Sequence, residues 1–171
     1  MTFLRRVARL RVSLGFVSSI FVLWLAHPTP RALAIGAVVA AIGEAVRVWA
    51  AGHLEKGREV TTTGPYAFTR HPLYLGSALI GIGLAIASAS AAVAGLVIAY
   101  LAITLTAAIR TEEAHLTEKF GVAYPAYRAG RAGAEARRFS AARAMRNREY
   151  RAVLGLLFVM ALLAWKSGSH W

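Results

Sequence analysis

Long apolar runs alternate with short polar interruptions along the chain. Five apolar stretches stand out, roughly Val12–Ala26, Ala32–Gly52, Leu73–Ala89, Ala91–Ile109 and Ala152–Trp165. A bilayer core of about 30 Å takes about 20 helical residues to cross, with about 17 as a practical minimum. The second and fourth stretches meet that length, and the third is marginal. The first and last are short and need flanking residues or snorkelling arginines to span. The pattern predicts an all-α integral membrane protein with about five transmembrane helices. The first stretch follows Arg5, Arg6, Arg9 and Arg11, as a signal peptide would, but "HPTPR" follows it in place of a small-x-small cleavage site. It reads as a retained helix.

Composition agrees. Hydrophobic residues make up 57% of the 171, too many for an ordinary soluble domain, and the length suggests one domain over residues 1–171. There is no cysteine, which excludes disulfides and thiolate metal sites, and zinc-ligand spacings are absent, so no metal is expected.

Net charge is +12, carried by only 16% charged residues, so the basic residues are concentrated. Lys56, Arg58 and Arg70 lie between stretches two and three, and ten basic residues from Arg110 to Arg151 lie between four and five. With the arginines before stretch one, these segments fall on one side of a five-span chain; only Arg31 and Lys166 fall on the other. The positive-inside rule makes the basic side cytoplasmic, with the N-terminus inside and the C-terminus outside. The basic excess then reflects topology and contact with lipid headgroups, and no base-reading face suggests nucleic acid.

"SASAA" at Ser88–Ala92 reads as a turn between stretches three and four, and both are rich in small residues. Small residues let helix backbones approach closely in lipid, which predicts a tight hairpin of helices three and four. The Gly76, Gly81, Gly83 spacing is not a nucleotide fingerprint, because no strand precedes it; a soluble Rossmann-type domain is excluded. "TEEAHLTEKFG" reads as a helix end stopped by Gly121, "VAYPAYRAGRAGAEA" as loop, and "RRFSAARAMRNREYRAVL" as a helical segment on the membrane surface.

Polar residues inside the oil point to chemistry. Glu44 and Arg47 stand three apart on one helical face, either as a structural ion pair or as the lining of a polar cavity. His53 and Lys56 follow at the end of the same stretch. "GPYAFTRHPLYLG" is denser: Gly64-Pro65 turns the chain, and Pro72 opens a helix because its missing N–H is not needed there. Arg70 and His71 then sit at a helix N-terminus, where free N–H groups favour an anion, with Tyr66 and Tyr74 alongside.

The string "TTTGPYAFTRHPLYLG", followed by "RTEEAHLTEKFGVAYPAY", resembles the isoprenylcysteine carboxyl methyltransferase family and the related phospholipid methyltransferases, over about Arg47 to Tyr127. The resemblance implies an integral membrane enzyme that transfers methyl from S-adenosylmethionine. Its cofactor pocket would face the cytoplasm, and a lipophilic or lipidated acceptor would enter from the bilayer. By matching, Tyr66, His71, Pro72, Leu73 and Tyr74 would line the cofactor site, Val60 and Thr61 would cover the adenosine, and Glu112 would hold the amino-acid end. Ala108 stands where the prenylcysteine enzymes place an acceptor-binding arginine, and an extra segment and helix follow at about 131–165.

Methyl transfer from a sulfonium is an in-line displacement that needs alignment and a dry pocket. Arg70 or Arg110 is the candidate anchor for an anionic acceptor; for an amine or hydroxyl, Glu112, Glu113 or His71 is the candidate base. Two alternatives stand beside this: a sterol-reductase-like membrane oxidoreductase, with Arg137 and Arg138 at an NADPH 2'-phosphate, and a non-catalytic membrane protein of the same fold.

Overall fold

A computed structural model describes residues 22–131 and 137–168, and among these every regular element is helical. They are α1 (Pro30–His53), a short 3-10 turn (Gly64–Ala67), α2 (Pro72–Ser88), α3 (Ala91–Phe120), α4 (Ala123–Arg128), α5 (Ala141–Arg146) and α6 (Tyr150–Gly168). The first apolar stretch lies outside the described residues apart from 22–26, of which 22–25 are helical.

Local chemistry sets the helix starts. The Thr29 hydroxyl accepts from the Ala32 N–H with Pro30 at the first position, and Ser90 caps α3 by accepting from Val93 N–H. Gly121, at φ +51°, ends α3 as expected. α1, α3 and α6 are long and apolar enough to cross a membrane. α2 has 17 residues, about 25 Å at 1.5 Å per residue, and remains marginal. α6 is longer than its apolar run suggests, with 19 residues, because Tyr150, Arg151 and Lys166 continue the helix.

The α2–α3 hairpin forms, turned by Ala89 in the left-handed region at φ +49°. The closest packing, however, is between α1 and α2. A Cβ on Gly43 would stand 2.7 Å from the Gly76 carbonyl oxygen, and one on Gly83 would stand 2.5 Å from Ala40 N. These glycines recur along one face of each helix, so the two backbones meet without side chains between them. On α3, by contrast, a Cβ at Gly95 would meet nothing within 4 Å.

At the end of the bundle formed by the C-terminus of α2 and the start of α3, His27 N–H donates to the Ser88 carbonyl at 2.8 Å, and Lys166 Nζ donates to the Leu23 carbonyl at 2.7 Å. Ala26, Ala87 and Leu163 are buried together there.

The opposite end carries the basic segments. Residues 137–149 cap α1. Asn147 Nδ2 donates to the Ala51 and Leu54 carbonyls at 2.9 Å each, Ser140 N–H and Arg143 Nη1 donate to the Gly52 carbonyl, and Arg137 Nη1 donates to the His53 carbonyl. The last carbonyls of a helix lack intrahelical donors and carry partial negative charge, so an amide and two guanidiniums suit them. The expected loop "VAYPAY" is also helical, as α4. Pro125 falls in its first turn, where the absent N–H has no intrahelical partner in any case.

Candidate functional site

The basic end brings the 3-10 turn, the start of α2, the end of α3 and α4 together. Gly64 adopts φ +59° and lies so close to the His53 ring that a Cβ would stand 2.6 Å from it. Only glycine fits both demands. The turn then directs Tyr66 inward, 8% exposed, and Pro72 starts α2 with His71 as its N-cap. No side chain caps that terminus; Pro72 has no N–H, and the Tyr74 and Leu75 N–H groups donate to the His71 carbonyl.

Across from it, α3 runs past its apolar portion. Glu113 Oε1 lies 3.1 Å from His71 Nε2 and 3.6 Å from Arg70 Nη1. His71 stacks at a tilt beside Tyr74, with ring centroids 5.8 Å apart. α4 closes the site: Tyr127 donates its hydroxyl to the Tyr66 carbonyl at 2.6 Å, and Tyr124 is buried beside Glu113. The Tyr66 hydroxyl is buried without a hydrogen-bond partner among the described residues. Burial first, and then the nearby Glu112 carboxylate, push its pKa up. Burial and then Glu113 push the Tyr124 hydroxyl up to about 12. Both phenols are therefore neutral donors at ordinary pH. Beside them, Thr62, Tyr66, Phe68, Arg70, Tyr127 and Arg128 help line a groove of about 290 Å³.

The sequence-derived candidates divide. Tyr66, Arg70, His71, Pro72, Leu73 and Tyr74 lie on one continuous segment at this site, and Thr61, buried, accepts from Glu55 N–H just before it. Val60 is half-buried next to Thr61. Glu112 is exposed, acts electrostatically on Tyr66 and Tyr124, and makes no ion pair or hydrogen bond among the described residues. Glu113, not Glu112, is the carboxylate joined to His71. Arg110 is exposed and makes no ion pair among the described residues, while Ala108 is buried.

Residues beyond the candidates also enter. Tyr124 and Tyr127, three apart on α4, present one helical face to the site; that spacing was visible in the sequence. Glu149 had no such signal. It is 7% exposed at the start of α6, and its Oε1 lies 2.6 Å from Arg47 Nη2. Arg47 Nη1 donates to Ser77 Oγ at 2.5 Å, which ties this pair to α2 two turns beyond His71. Arg137, an expected phosphate contact, pairs with Glu59. Among the described residues, no group of three or more His, Asp or Glu stands close enough to hold a metal ion.

Comparison with known proteins adds an independent finding. The family pattern described as phospholipid methyltransferase matches residues 32–123. The cobalt-zinc-cadmium resistance protein CzcN of Cupriavidus metallidurans is 32% identical over 94 residues, 54% of this chain and 44% of CzcN. The nickel-cobalt-cadmium resistance protein NccN of Alcaligenes xylosoxydans xylosoxydans is 33% identical over 88 residues, 50% of this chain and 40% of NccN. The matched portion thus spans less than half the length of these relatives. No solved structure matches the chain.

Proposed function

This chain belongs to the phospholipid methyltransferase family, and on that premise we propose that it is an S-adenosylmethionine-dependent methyltransferase acting on a lipophilic acceptor from the bilayer. The observation that carries the reading is the convergence, across forty-two residues, of the His71 helix start and the Glu113 end of α3. The residues present fit a zwitterionic cofactor. Glu112, with no ion pair among the described residues, suits its ammonium, the positive end of the α2 dipole suits its carboxylate, and the buried Tyr66 hydroxyl lacks an acceptor among the described residues. Val60 and Thr61, with Leu73 and Tyr74, would flank the remainder.

When bound, S-adenosylmethionine supplies an electrophilic methyl group on a sulfonium sulfur. The protein supplies the rest. The apolar face of the bundle excludes water, and α2 and α3 hold the acceptor and cofactor portions of the site in fixed relation. An acceptor amine or hydroxyl loses a proton on methylation. His71, oriented by Glu113, is the group placed to take it, with Arg70 beside both. A carboxylate acceptor needs no base, only a cation such as Arg70 or Arg110.

The basic loops would make the site end cytoplasmic, with the cofactor drawn from that side. The metal ions in the relatives' names suggest no separate chemistry for this site. The oxidoreductase alternative loses its strongest support, because Arg137 is engaged with Glu59 and the end of α1. Titration calorimetry of the detergent-purified protein tests the reading. Saturable binding of S-adenosylhomocysteine and none of NADPH is expected; the reverse would overturn it, and binding of neither would leave the non-catalytic alternative.

A further inference from the structure

The turn from α5 into α6 is strained. Arg148 adopts φ +61°, in the left-handed region that residues other than glycine seldom take. Glu149 follows it, and its carbonyl accepts the Ala152 and Val153 N–H groups that open α6. Its side chain is not left in water. Glu149 is 7% exposed, and its Oε1 lies 2.6 Å from Arg47 Nη2 on α1. Backbone strain of this kind persists only where the surrounding contacts outweigh it. Glu149 also lies beyond the family match, which ends at residue 123.

Arg47 carries the contact across to α2. Its Nη1 donates to Ser77 Oγ at 2.5 Å and to the Leu73 carbonyl at 3.5 Å, and the Ser77 hydroxyl donates to the same carbonyl at 2.9 Å. The stem of Arg47 passes over Gly76, where a Cβ would stand 2.5 Å from Arg47 Cγ. Leu73 belongs to the first turn of α2, directly after Pro72 and the His71 N-cap. A guanidinium is a rigid planar fork, so what holds one edge of it aims the other. Two carboxylates stand beside this one: Glu149, and Glu44, whose Oε2 lies 3.8 Å from Arg47 Nε. Glu44 is one turn away on α1 itself. Glu149 reaches Arg47 from a different element.

We propose that Glu149 is a positioning residue for the site: by holding Arg47 on Ser77 and Leu73, it fixes the first turn of α2, and with it His71 and Tyr74. A neutral side chain at position 149 would leave Glu44 as the remaining counter-charge, and a buried guanidinium follows its counter-charge. Arg47 would then turn back along α1 and release α2. That this turn serves a cofactor rests on the function proposed above; its attachment to Glu149 does not.

Two measurements on the full chain in detergent test this. Hydrogen exchange without ligand reads residues 74–77 of α2, and calorimetry reads affinity for S-adenosylhomocysteine. Glu149→Gln should speed exchange at 74–77 and leave residues 84–87, at the far end of α2, unchanged. It should weaken S-adenosylhomocysteine binding about tenfold, the loss of one charged hydrogen bond. Glu149→Asp, which keeps the charge, should hold the affinity within about threefold of the unaltered chain. Ser77→Ala cuts the bridge from the α2 side; it should reproduce the loss, be non-additive with Glu149→Gln, and keep the test open if Glu149→Gln fails to fold. Lys166→Met, which loosens α6 at its opposite end, should lower thermal stability without changing affinity. Unchanged exchange at 74–77 in Glu149→Gln overturns the proposal. So do additive losses, an unchanged affinity in Glu149→Gln where the unaltered chain binds, and an equal loss in Lys166→Met, which would assign the effect to the docking of α6 alone. If the unaltered chain binds no S-adenosylhomocysteine, the proposed function fails and exchange by itself decides the role of Glu149.

Discussion

His71 Nε2 and Glu113 Oε1 lie 3.1 Å apart, joining the first residue before α2 to the polar end of α3. Glu112, the residue that sequence matching selects for the cofactor, is exposed and makes no ion pair among the described residues. On a helix, neighbouring positions differ by about 100° in direction, so adjacent glutamates serve different partners. The expected outcome is a division of labour. Glu112→Gln should weaken S-adenosylhomocysteine binding by about ten- to a hundredfold, the loss of one charged hydrogen bond. Glu113→Gln should leave that affinity within about threefold but lower turnover, and it should be non-additive with His71→Ala, because both remove the same contact. Calorimetry and single-turnover rates check both halves. Additive losses would show that Glu113 does not act through His71.

The α1–α2 contact has no room for a side chain. Gly83→Val should destabilise the protein by about 1–3 kcal/mol, the usual cost of overpacking, since its Cβ would meet the Ala40 backbone. Gly95→Val, on the open face of α3, should change little. Unfolding in mixed detergent measures the pair; equal effects would place the tight interface elsewhere.

Glu55 couples the cap on α1 to pH. Its hydrogen bond from Arg143 Nε, 2.7 Å long, is the main cause of a carboxyl pKa below the usual value. A group with a lowered folded pKa contributes stability above its unfolded pKa, about 4.3, and that contribution is lost as pH falls through the folded value. Residues 137–149 should therefore hold to α1 at neutral pH and loosen as pH falls below the usual glutamate range. Hydrogen exchange, corrected for intrinsic rates, should show this opening, and Glu55→Gln should be open at both pH values.

Ala108 is buried against its neighbours and cannot present a charge. Farnesylcysteine derivatives, which carry a carboxylate, should be poor acceptors. Robust methyl ester formation in a radiolabel transfer assay would contradict this and direct attention to Arg110 or Arg47.

The basic loops predict the orientation of the C-terminus. A reporter fused after Trp171 should be active only on the outer side of the membrane. Activity on the cytoplasmic side would mean that α6 does not cross.

The sequence by itself determined the helices and the place of the polar knot. Apolar length marked the spans, Pro30, Pro72 and Ser90 marked starts, Gly121 marked a stop, and "GPYAFTRHPLYLG" marked the segment that turns into the site. All of these act within a few residues, through capping, dihedral limits and hydropathy, so they are written locally. Partner choice is not local. Small residues on α2 and α3 suggested a tight hairpin, yet Gly76 and Gly83 face Gly43 and Ala40 of α1. Which glutamate meets His71 depends on the rotation of α3, and Arg47 meets Glu149 only because the C-terminal segment folds back over the end of α1. Helix rotation and long-range docking are set by how whole faces interlock, and only the tertiary structure decides that.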